Sequence, residues 1–184
     1  MTSILKVDQL QDSGGNAIIT SDGAGNLTAG TIPATAIGTG AVLQTVTFVT
    51  TGNTSTTTST SYTDTVNTIS ITPLSSNSKI LVFADHATAI QAGSSHQRID
   101  IRVFETTTST TVTSKLYIGK DGASGTQIIH QFGLSGGFTN SSTAQKTFKV
   151  QVRKANGTAS ETGTINHSWY NNALHNMIAM EIAG

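Results

Sequence analysis

The side chains that most often carry out catalysis are few in this sequence of 184 residues. There are 10 acidic residues, no cysteine and five histidines, and the histidines stand at positions 86, 96, 130, 167 and 175. No two histidines have the H-x-H or H-E-x-x-H spacing that gathers ligands around a metal ion. The chain also lacks the Walker loop that cradles phosphates and the glycine pattern that binds dinucleotides. These observations argue against a metal, a nucleotide or another cofactor.

Glycan-cleaving enzymes need two carboxylates that face each other across a cleft. The acidic residues here are scattered along the chain. Asp100 and Glu105 share one predicted strand, but their odd spacing directs them to opposite faces of it. The sequence therefore predicts that the protein is not an enzyme.

One group of side chains suits sugar recognition. The long connection 154–173 contains the only tryptophan, Trp169, followed by Tyr170 and Asn171. An aromatic ring stacks on the apolar face of a sugar, and amide groups hydrogen-bond its hydroxyls. We predict a receptor contact at these three residues; the alternative is that Trp169 plugs the end of the fold or a subunit interface.

The composition favours strands and excludes several classes of protein. Thr and Ser make up 53 of the 184 residues, and β-branched Thr fits a half-wetted pleated surface. Only 11% of the residues are charged, with 10 basic and 10 acidic residues, which leaves no electrostatic basis for general nucleic-acid binding. No apolar run reaches the ~18 residues of a membrane span, and the first residues lack the apolar stretch of a secretion signal. So few charges favour an assembly that buries part of its surface.

From about residue 42 the sequence predicts short strands at steady spacing, separated by clusters of Gly, Ser, Asn and Pro. In the segment 98–105, branched aliphatic residues alternate with charged ones, as expected for a strand with one buried face. Eight or more such strands without a helical period indicate an all-β antiparallel sandwich. The predicted strands span 42–50, 62–72, 79–90, 98–105, 111–118, 126–134, 146–153 and 175–182.

Two of these strands, 79–90 and 175–182, are apolar on both faces. A strand of an antiparallel sandwich usually has one wet face. Both of these strands must therefore be covered twice, once by the core and once by another subunit. We predict an oligomer whose interface contains Val82, Ala84, His86, Ile178 and Met180.

Residues 1–41 are predicted to form a segment separate from the sandwich domain, which spans 42–184. Short apolar clusters in the segment are interrupted by turn-forming residues, and 29–40 consists almost entirely of small residues. A segment of this composition cannot bury a hydrophobic core of its own. We predict extended pieces that pack on copies of the segment or on a partner; the alternative is a disordered tail.

The opening SILKVDQLQDSGGNAIITSDGAGNLT (3–28) resembles the N-terminal attachment segment of tail fibre and tail structural proteins of marine and cyanobacterial phages. Two further stretches, ISITPLSSNSKILVFADHA (69–87) and LHNMIAMEIAG (174–184), resemble the C-terminal domain often joined to it. That domain is similar to the trimeric jelly rolls of the tumour necrosis factor and complement-globular-head type. Together the three stretches bracket nearly the whole chain.

The resemblance implies an antiparallel jelly-roll sandwich, assembled as a homotrimer, with an extended N-terminal attachment segment. It also implies that the sheet with the C-terminal strand faces the threefold axis, which agrees with the two strands that are apolar on both faces. The apolar clusters of the segment would bind other proteins of the phage tail or baseplate. The predicted attachment residues are Ile4, Leu5, Val7, Leu10, Ile18 and Ile19.

Arg98, Asp100 and Arg102 share one face of the predicted strand 98–105. In a jelly roll of this type, they lie beside a row of polar residues on the next strand of the sheet. Arginine forks suit the carboxylates, sulfates and phosphates of surface glycans, so Arg98 and Arg102 are further candidates for receptor binding. The alternative is a cross-strand network in which Asp100 pairs with a neighbouring cation. Because Asp100 already offers the arginines a partner, we expect the aromatic loop to make the main contact. The expected neighbours on the next strand are Lys149, Gln151 and Arg153.

A trimer would bring three copies of a histidine together at its axis, and a ring of three imidazoles can hold a metal ion. His86 and His130, on predicted strands near the axis, are the weak candidates for such a ring. We favour histidines that are satisfied within the interface and predict no metal.

The first hypothesis is therefore a phage virion structural protein, a short trimeric tail fibre anchored by its N-terminus, whose jelly roll contacts glycan on the host surface. It would be assembled in the host cytoplasm and located in the tail of the virion. The second hypothesis is a purely structural baseplate or capsid-decoration protein without a receptor role. The third is a glycan-degrading tailspike. None of these inserts into a membrane.

Overall fold

A computed structural model of the chain describes residues 9–11, 13–24, 27–29, 38–51, 55–57, 59–91, 97–119, 127–155, 164–167 and 174–184. In this part of the chain all regular secondary structure is β, and the strands form antiparallel sheets without a helix. The prediction of an all-β antiparallel protein is confirmed. The chain divides into two compact units, Met1–Gly38 and Thr39–Gly184.

The first unit contains a small sheet of three strands, β1 (Gln9–Gln11), β2 (Ala17–Ser21) and β3 (Leu27–Ala29). The strands are antiparallel and neighbour each other in chain order. Gly15 and Gly23 lie between successive strands with φ of 82° and 77°, a backbone conformation that glycine adopts without a Cβ clash. The glycines of this segment therefore form the turns that the sequence predicts.

The second unit is a sandwich of two antiparallel sheets. Sheet 1 contains the C-terminal strand and has the order β4-β13-β7-β12-β5, with β10 also paired to β7. Sheet 2 has the order β6-β11-β8-β9. The strands are β4 (Val42–Thr51), β5 (Ser55–Thr57), β6 (Thr63–Ile71), β7 (Lys79–Gln91), β8 (Gln97–Glu105), β9 (Thr110–Gly119), β10 (Gln127–Thr139), β11 (Lys146–Lys154), β12 (Thr164–His167) and β13 (Leu174–Ile182).

The core lies between the two sheets and consists of alternate residues of their strands. On β8, Ile99, Ile101 and Val103 are fully buried, which confirms the alternation predicted for this strand. Across the interior, the rings of Phe138 on β10 and Phe148 on β11 meet edge-on with centroids 5.6 Å apart. Edge-to-face contacts of this kind are favourable, so this pair ties sheet 1 to sheet 2.

The strands agree closely with the sequence prediction. Seven of the eight predicted strands match within one residue at each end. The exception is β10, which was predicted to end at Leu134 but continues to Thr139. The short strands β5 and β12 were not predicted, because they lie within polar connections and form only by pairing with each other and with β7.

The two glycines in the second half of β10 led to the prediction of a turn, but one of them allows two strands to approach closely. A Cβ on Gly136 would lie 2.9 Å from both Cγ1 and the backbone oxygen of Val112 on β9. Cβ atoms in proteins essentially never approach other heavy atoms this closely. The backbone of Val112 could make room only by a shift of the whole strand. Gly136 is therefore required where β9 of sheet 2 passes over β10 of sheet 1.

Gly136→Ala should lower the free energy of unfolding by about 1–3 kcal/mol, because overpacking forces the backbone apart. Gly137→Ala is the matched control, since its Cβ would meet only Leu81 Cδ2 at 3.6 Å, an ordinary contact. Urea unfolding followed by fluorescence measures both variants. Equal stability of the two variants would show that the close approach at Gly136 is unimportant.

The boundary between the two units lies slightly before the predicted one at residues 41 and 42. Gly40 N–H donates to the carbonyl of Ala183, and Ala183 N–H donates to the carbonyl of Ala41, at 2.9 and 2.8 Å. These bonds extend the pairing of β4 with β13 beyond the last strand residues. Residues 39–41 therefore belong to the second unit.

Two acidic side chains in the described part of the chain, Glu105 and Glu181, are fully buried, and each holds a turn. Glu181 on β13 accepts hydrogen bonds from the backbone N–H of Leu74 and Ser75 at 2.9–3.0 Å and from Gln44 Nε2 at 2.6 Å. Burial by itself raises the pKa of Glu181, but these hydrogen bonds outweigh it and the pKa is lowered. The C-terminal strand thus fixes the connection between β6 and β7.

Glu105 does the same at the end of β8. Its carboxylate accepts hydrogen bonds from the backbone N–H of Thr107 at 2.9 Å and from the N–H and hydroxyl of Thr108 at 2.6 Å. Burial opposes ionisation, but these bonds outweigh it and lower the pKa of Glu105. The carboxylate is therefore committed to the turn between β8 and β9.

Candidate functional site

The two outer faces of the sandwich differ in chemistry. Sheet 2 presents charged and aromatic side chains to solvent, whereas the described part of sheet 1 presents mainly aliphatic, aromatic and small ones. Both faces result from the same alternation of inward and outward residues. Each face is a candidate interaction surface.

Arg102 lies at the centre of the outer face of sheet 2. Its guanidinium carbon lies 3.6 Å from the ring centroid of Tyr62 and 4.2 Å from that of Phe104, within the range of cation–π attraction. Its Nε donates to Gln151 at 2.8 Å and its Nη1 to Thr111 at 3.0 Å. The aromatic rings and the two hydrogen bonds together fix the orientation of this arginine.

Asp100 lies beside this arginine and joins two neighbours. It accepts hydrogen bonds from Arg153 Nη2 at 2.8 Å, from Arg153 Nε at 3.1 Å and from the Tyr62 hydroxyl at 2.6 Å. Partial burial is the largest cause of a raised pKa of Tyr62, and the hydrogen bond to Asp100 adds to it. Tyr62 therefore stays protonated and keeps donating to Asp100 at neutral pH.

Asp64 extends the network at its other end. It accepts hydrogen bonds from Lys149 Nζ and Gln151 Nε2, both at 2.6 Å. Burial opposes ionisation of Asp64, but the two donors outweigh it and its pKa is lowered. Because Gln151 also accepts from Arg102, the network runs continuously across β6, β11 and β8.

The register confirms that the charged row of β8 lies beside Lys149, Gln151 and Arg153. Arg102 pairs with Gln151, and Asp100 with Arg153, on adjacent strands. The cross-strand network considered from the sequence is present as well, as the Arg153–Asp100 ion pair. Arg98 lies on β8 in register with Ile118, and its side chain lies outside the described part.

The described part of the outer face of sheet 1 carries few charged side chains across four strands. In its central row, Thr47, Ile178, Phe83 and Ser135 stand in register on β4, β13, β7 and β10. Ile178 and Phe83 are 36% and 42% exposed, and Val49 in the next row is 64% exposed. Large apolar side chains exposed together on one sheet face make it a candidate interaction surface.

A shallow groove of about 370 Å³ crosses this face beside Phe83. The groove runs along β10, where the outward residues Gly133 and Ser135 have small side chains and leave space above the sheet. The groove has one carboxylate in its lining, that of Asp85. The outward residues that line it are Phe83, Asp85, Gly133, Ser135, Asn176 and Ile178.

The predicted interface residues divide between the two sides of sheet 1. Ile178 is exposed and Met180 is half-buried on the outer face. Val82, Ala84 and His86 are buried inside the sandwich of the single chain, so their prediction as interface residues was wrong. Since β7 is apolar on both faces, the sequence did not distinguish the core side from the outer side.

The outward residues of β7, which the prediction missed, include Phe83. A signal for them was available, because Asp85 occurs at the same parity as Phe83 and an aspartate is rarely buried without a partner. Side chains two residues apart on a strand point to the same face, so an outward Asp85 predicts that Phe83 also points outward.

The run GLSGG at 133–137 has the spacing of the G-x-S-x-G motif of serine hydrolases. In those enzymes the serine lies on a sharp turn between a strand and a helix. Here all five residues lie within β10, and Ser135 stands in register with Phe83. The run is therefore part of the sheet and does not form a nucleophile turn.

The structure also shows where the two histidines considered for a metal ring, His86 and His130, lie. His86 is fully buried and its ring contacts that of His175, with centroids 4.8 Å apart, so it cannot line an axis between chains. His130 lies on β10, and its side chain lies outside the described part. Within the described ranges, no three His, Asp or Glu side chains gather to form a metal site.

Several predicted site residues fall outside the described part of the chain. These are Trp169, Tyr170 and Asn171 of the aromatic loop, and Ile4, Leu5 and Val7 of the N-terminal segment. The other three predicted attachment residues, Leu10, Ile18 and Ile19, are exposed on the three-stranded sheet of the first unit. Leu10 stands in register with Ile19.

Neither a comparison with protein-family models nor one with curated proteins gives a match. Among the described residues there is also no helix long and apolar enough to cross a membrane. Function must therefore be argued from the two outer faces and from the exposed apolar residues of the first unit.

Proposed function

We propose that this chain is a phage virion structural protein, a short trimeric tail fibre anchored by its N-terminal unit and presenting its second unit to the host surface. The main support is the outer face of sheet 1, which exposes large apolar side chains and carries little charge. Phe83 and Ile178 lie at its centre, and Asp85 and Lys79 are the charged residues of its described part. A face with so little charge is typical of the buried core of an oligomer interface.

The strand pairing supports a jelly roll for the second unit. The long strands pair as nested antiparallel couples: β4 with β13, β6 with β11, β7 with β10, and β8 with β9. Folding such a nested ribbon onto itself produces two four-stranded sheets with Greek-key connections. In trimers with this fold, the resemblance implies that the sheet with the C-terminal strand faces the axis, and sheet 1 is that sheet.

The first unit supports the anchoring role. Its exposed Leu10, Ile18 and Ile19 belong to the stretch that resembles phage attachment segments. A sheet buries a face only against a second layer, and the described part of the first unit contains a single sheet. Other proteins of the tail or baseplate are the proposed partners, and the virion tail is the proposed location after assembly in the host cytoplasm.

Host glycan is the proposed receptor, with Trp169, Tyr170 and Asn171 as the contact. The arginine row contributes less, because Arg102 and Arg153 already bind Gln151, Thr111 and Asp100. A purely structural baseplate or capsid-decoration role is the second candidate, since the charged side chains of the network on sheet 2 already hydrogen-bond partners within the sheet.

Incorporation into virions tests the proposal. Ile18→Asp in the full chain should leave the oligomer intact in native mass spectrometry, but the variant should be absent from purified virions. Cryo-electron microscopy of wild-type virions should place the chain in the tail. Normal incorporation of Ile18→Asp, or density in the capsid, would contradict the anchoring role.

Glycan-array binding separates the receptor role from the purely structural one. Trp169→Ala should abolish binding, whereas Arg102→Ala should reduce it only mildly. Weak single sites would suffice for attachment, because three sites on a fibre raise the effective concentration. Release of reducing ends from host polysaccharide would indicate the glycan-degrading alternative.

A further inference from the structure

Two histidines form a buried pair on the inner side of sheet 1. His86 on β7 and His175 on β13 are at most 1% exposed, with ring planes tilted by 34°. The Nδ1 of His175 accepts a hydrogen bond from the backbone N–H of Ala87 at 3.4 Å. An imidazole nitrogen accepts only while it is unprotonated. This hydrogen bond therefore requires a neutral His175.

Among the described residues, no carboxylate lies beside His175 to compensate a positive charge. From β6, Asn67 is fully buried beside β7, with Nδ2 bound to the carbonyl of Asp85 and Oδ1 without a hydrogen-bond partner. From β10, Phe132 stands in register with His86. The Asp85 side chain points to the outer face, away from the pair.

The buried charged residues of the described part are held elsewhere. Glu105 and Glu181 are bound by their turns, and Lys146 donates to Ser142 at 3.1 Å. Two more histidines, His130 on β10 and His167 on β12, stand in register with Thr88, two residues beyond His86. Four of the five histidines therefore lie on adjacent strands at one end of sheet 1.

We propose that the His86–His175 pair is an acid-operated switch that opens the junction of β7 and β13. Protonation of His175 replaces an acceptor with a donor that faces the N–H of Ala87. It also places a positive charge in a buried site whose described surroundings contain no carboxylate. Burial of an unpaired charge is strongly unfavourable. The junction ends at the pair Asn176 and Asp85, so opening begins next to the histidines.

The pH range of the switch follows from burial. Burial lowers the pKa of His175 below its ordinary 6.5. As pH falls below about 6.5, the unfolded chain binds protons that the folded chain does not, so stability falls until the folded pKa is reached. The carboxylates of Glu105 and Glu181 lose their contribution to stability only as the pH falls below their ordinary pKa of 4.5. Mild acid therefore acts through His175.

The consequence for the oligomer rests on the proposed function. Asn176 and Asp85 line the groove on the outer face, directly behind the histidine pair. Opening of β13 there removes the ordered surface on which another copy is proposed to pack. We therefore expect mild acid to dissociate the oligomer, with a linkage of one proton per chain for His175.

Hydrogen exchange of the full chain between about pH 7.5 and 5 tests the switch on the wild type. Protection factors, which correct for the pH dependence of intrinsic exchange, should fall first at the end of β13 near Asn176 and at the facing part of β7. NMR titration of histidine-labelled protein should show His175 titrating below the ordinary value. Uniform protection down to the carboxylate range would overturn the proposal.

His175→Gln keeps an acceptor but removes the titratable group, so its acid transition should move down toward the carboxylate range. His96→Gln is the matched control, since it makes the same substitution at the one histidine that is not among the four on sheet 1, and it should leave the transition unchanged. An unchanged transition in His175→Gln would overturn the switch. Native mass spectrometry at neutral pH tests the oligomer separately: a monomer there refutes the proposed assembly, while hydrogen exchange still decides the switch.

Discussion

Phe83→Lys should convert the proposed trimer into monomers while leaving the fold of the single chain intact. Phe83 lies in the central row of the outer face of sheet 1, next to Ile178, and points away from the core. A lysine there would bring an unpaired charge into a desolvated interface, which costs several kcal/mol and weakens association by about a thousandfold or more. Sedimentation velocity measures the loss, and circular dichroism checks the fold.

Leu116→Lys is the matched control for this variant. Leu116 is 60% exposed on β9, so both variants add one charge at an exposed apolar position, but only Phe83 lies on the proposed interface. The control should remain a trimer. Dissociation of both variants would indicate a general effect of added charge, and a trimer in both would place the interface on another surface.

Glu181→Ala should lower the free energy of unfolding by roughly 3–4 kcal/mol. The substitution leaves the buried N–H groups of Leu74 and Ser75 and the amide of Gln44 without their shared acceptor. Each unsatisfied buried donor costs about 1–3 kcal/mol, and these costs overlap because the turn can partly relax. Chemical unfolding at neutral pH measures the loss.

Glu181→Gln is the control, because its amide oxygen can still accept hydrogen bonds. It should cost clearly less at neutral pH. It should also weaken the loss of stability in the acid range: the lowered pKa means that the stabilisation by Glu181 is complete above about 4.5 and is lost as pH falls through the folded pKa. A Glu181→Ala variant as stable as the wild type would show that the turn does not need this carboxylate.

The fold class and most strand boundaries followed from the sequence alone. Alternation with a period of two is a local property, and turns rich in Gly, Ser and Asn mark its interruptions. The prediction failed at Gly136, where the glycine accommodates Val112 of another strand instead of forming a turn. A contact between residues distant in sequence leaves no local pattern.

The charged face of sheet 2 was also predictable in part. The neighbours of Asp100 and Arg102 on β11 were predicted correctly, through a resemblance to a known arrangement of strands. The stacking of Arg102 between Tyr62 and Phe104 was not predicted, because Tyr62 lies just before β6, two strands away from Arg102. Only the strand order of sheet 2 brings this ring to the arginine.

The sequence by itself determined that β7 and β13 have two apolar sides, because hydrophobicity and parity are properties of the chain. Only the tertiary structure decided which side is the core. It placed Val82, Ala84 and His86 inside and Phe83 and Ile178 outside, since the packing of sheet 1 against sheet 2 can cover one face only. The same packing put His86 against His175, residues 89 positions apart in the sequence, because β7 and β13 are neighbours only once the sheet has formed.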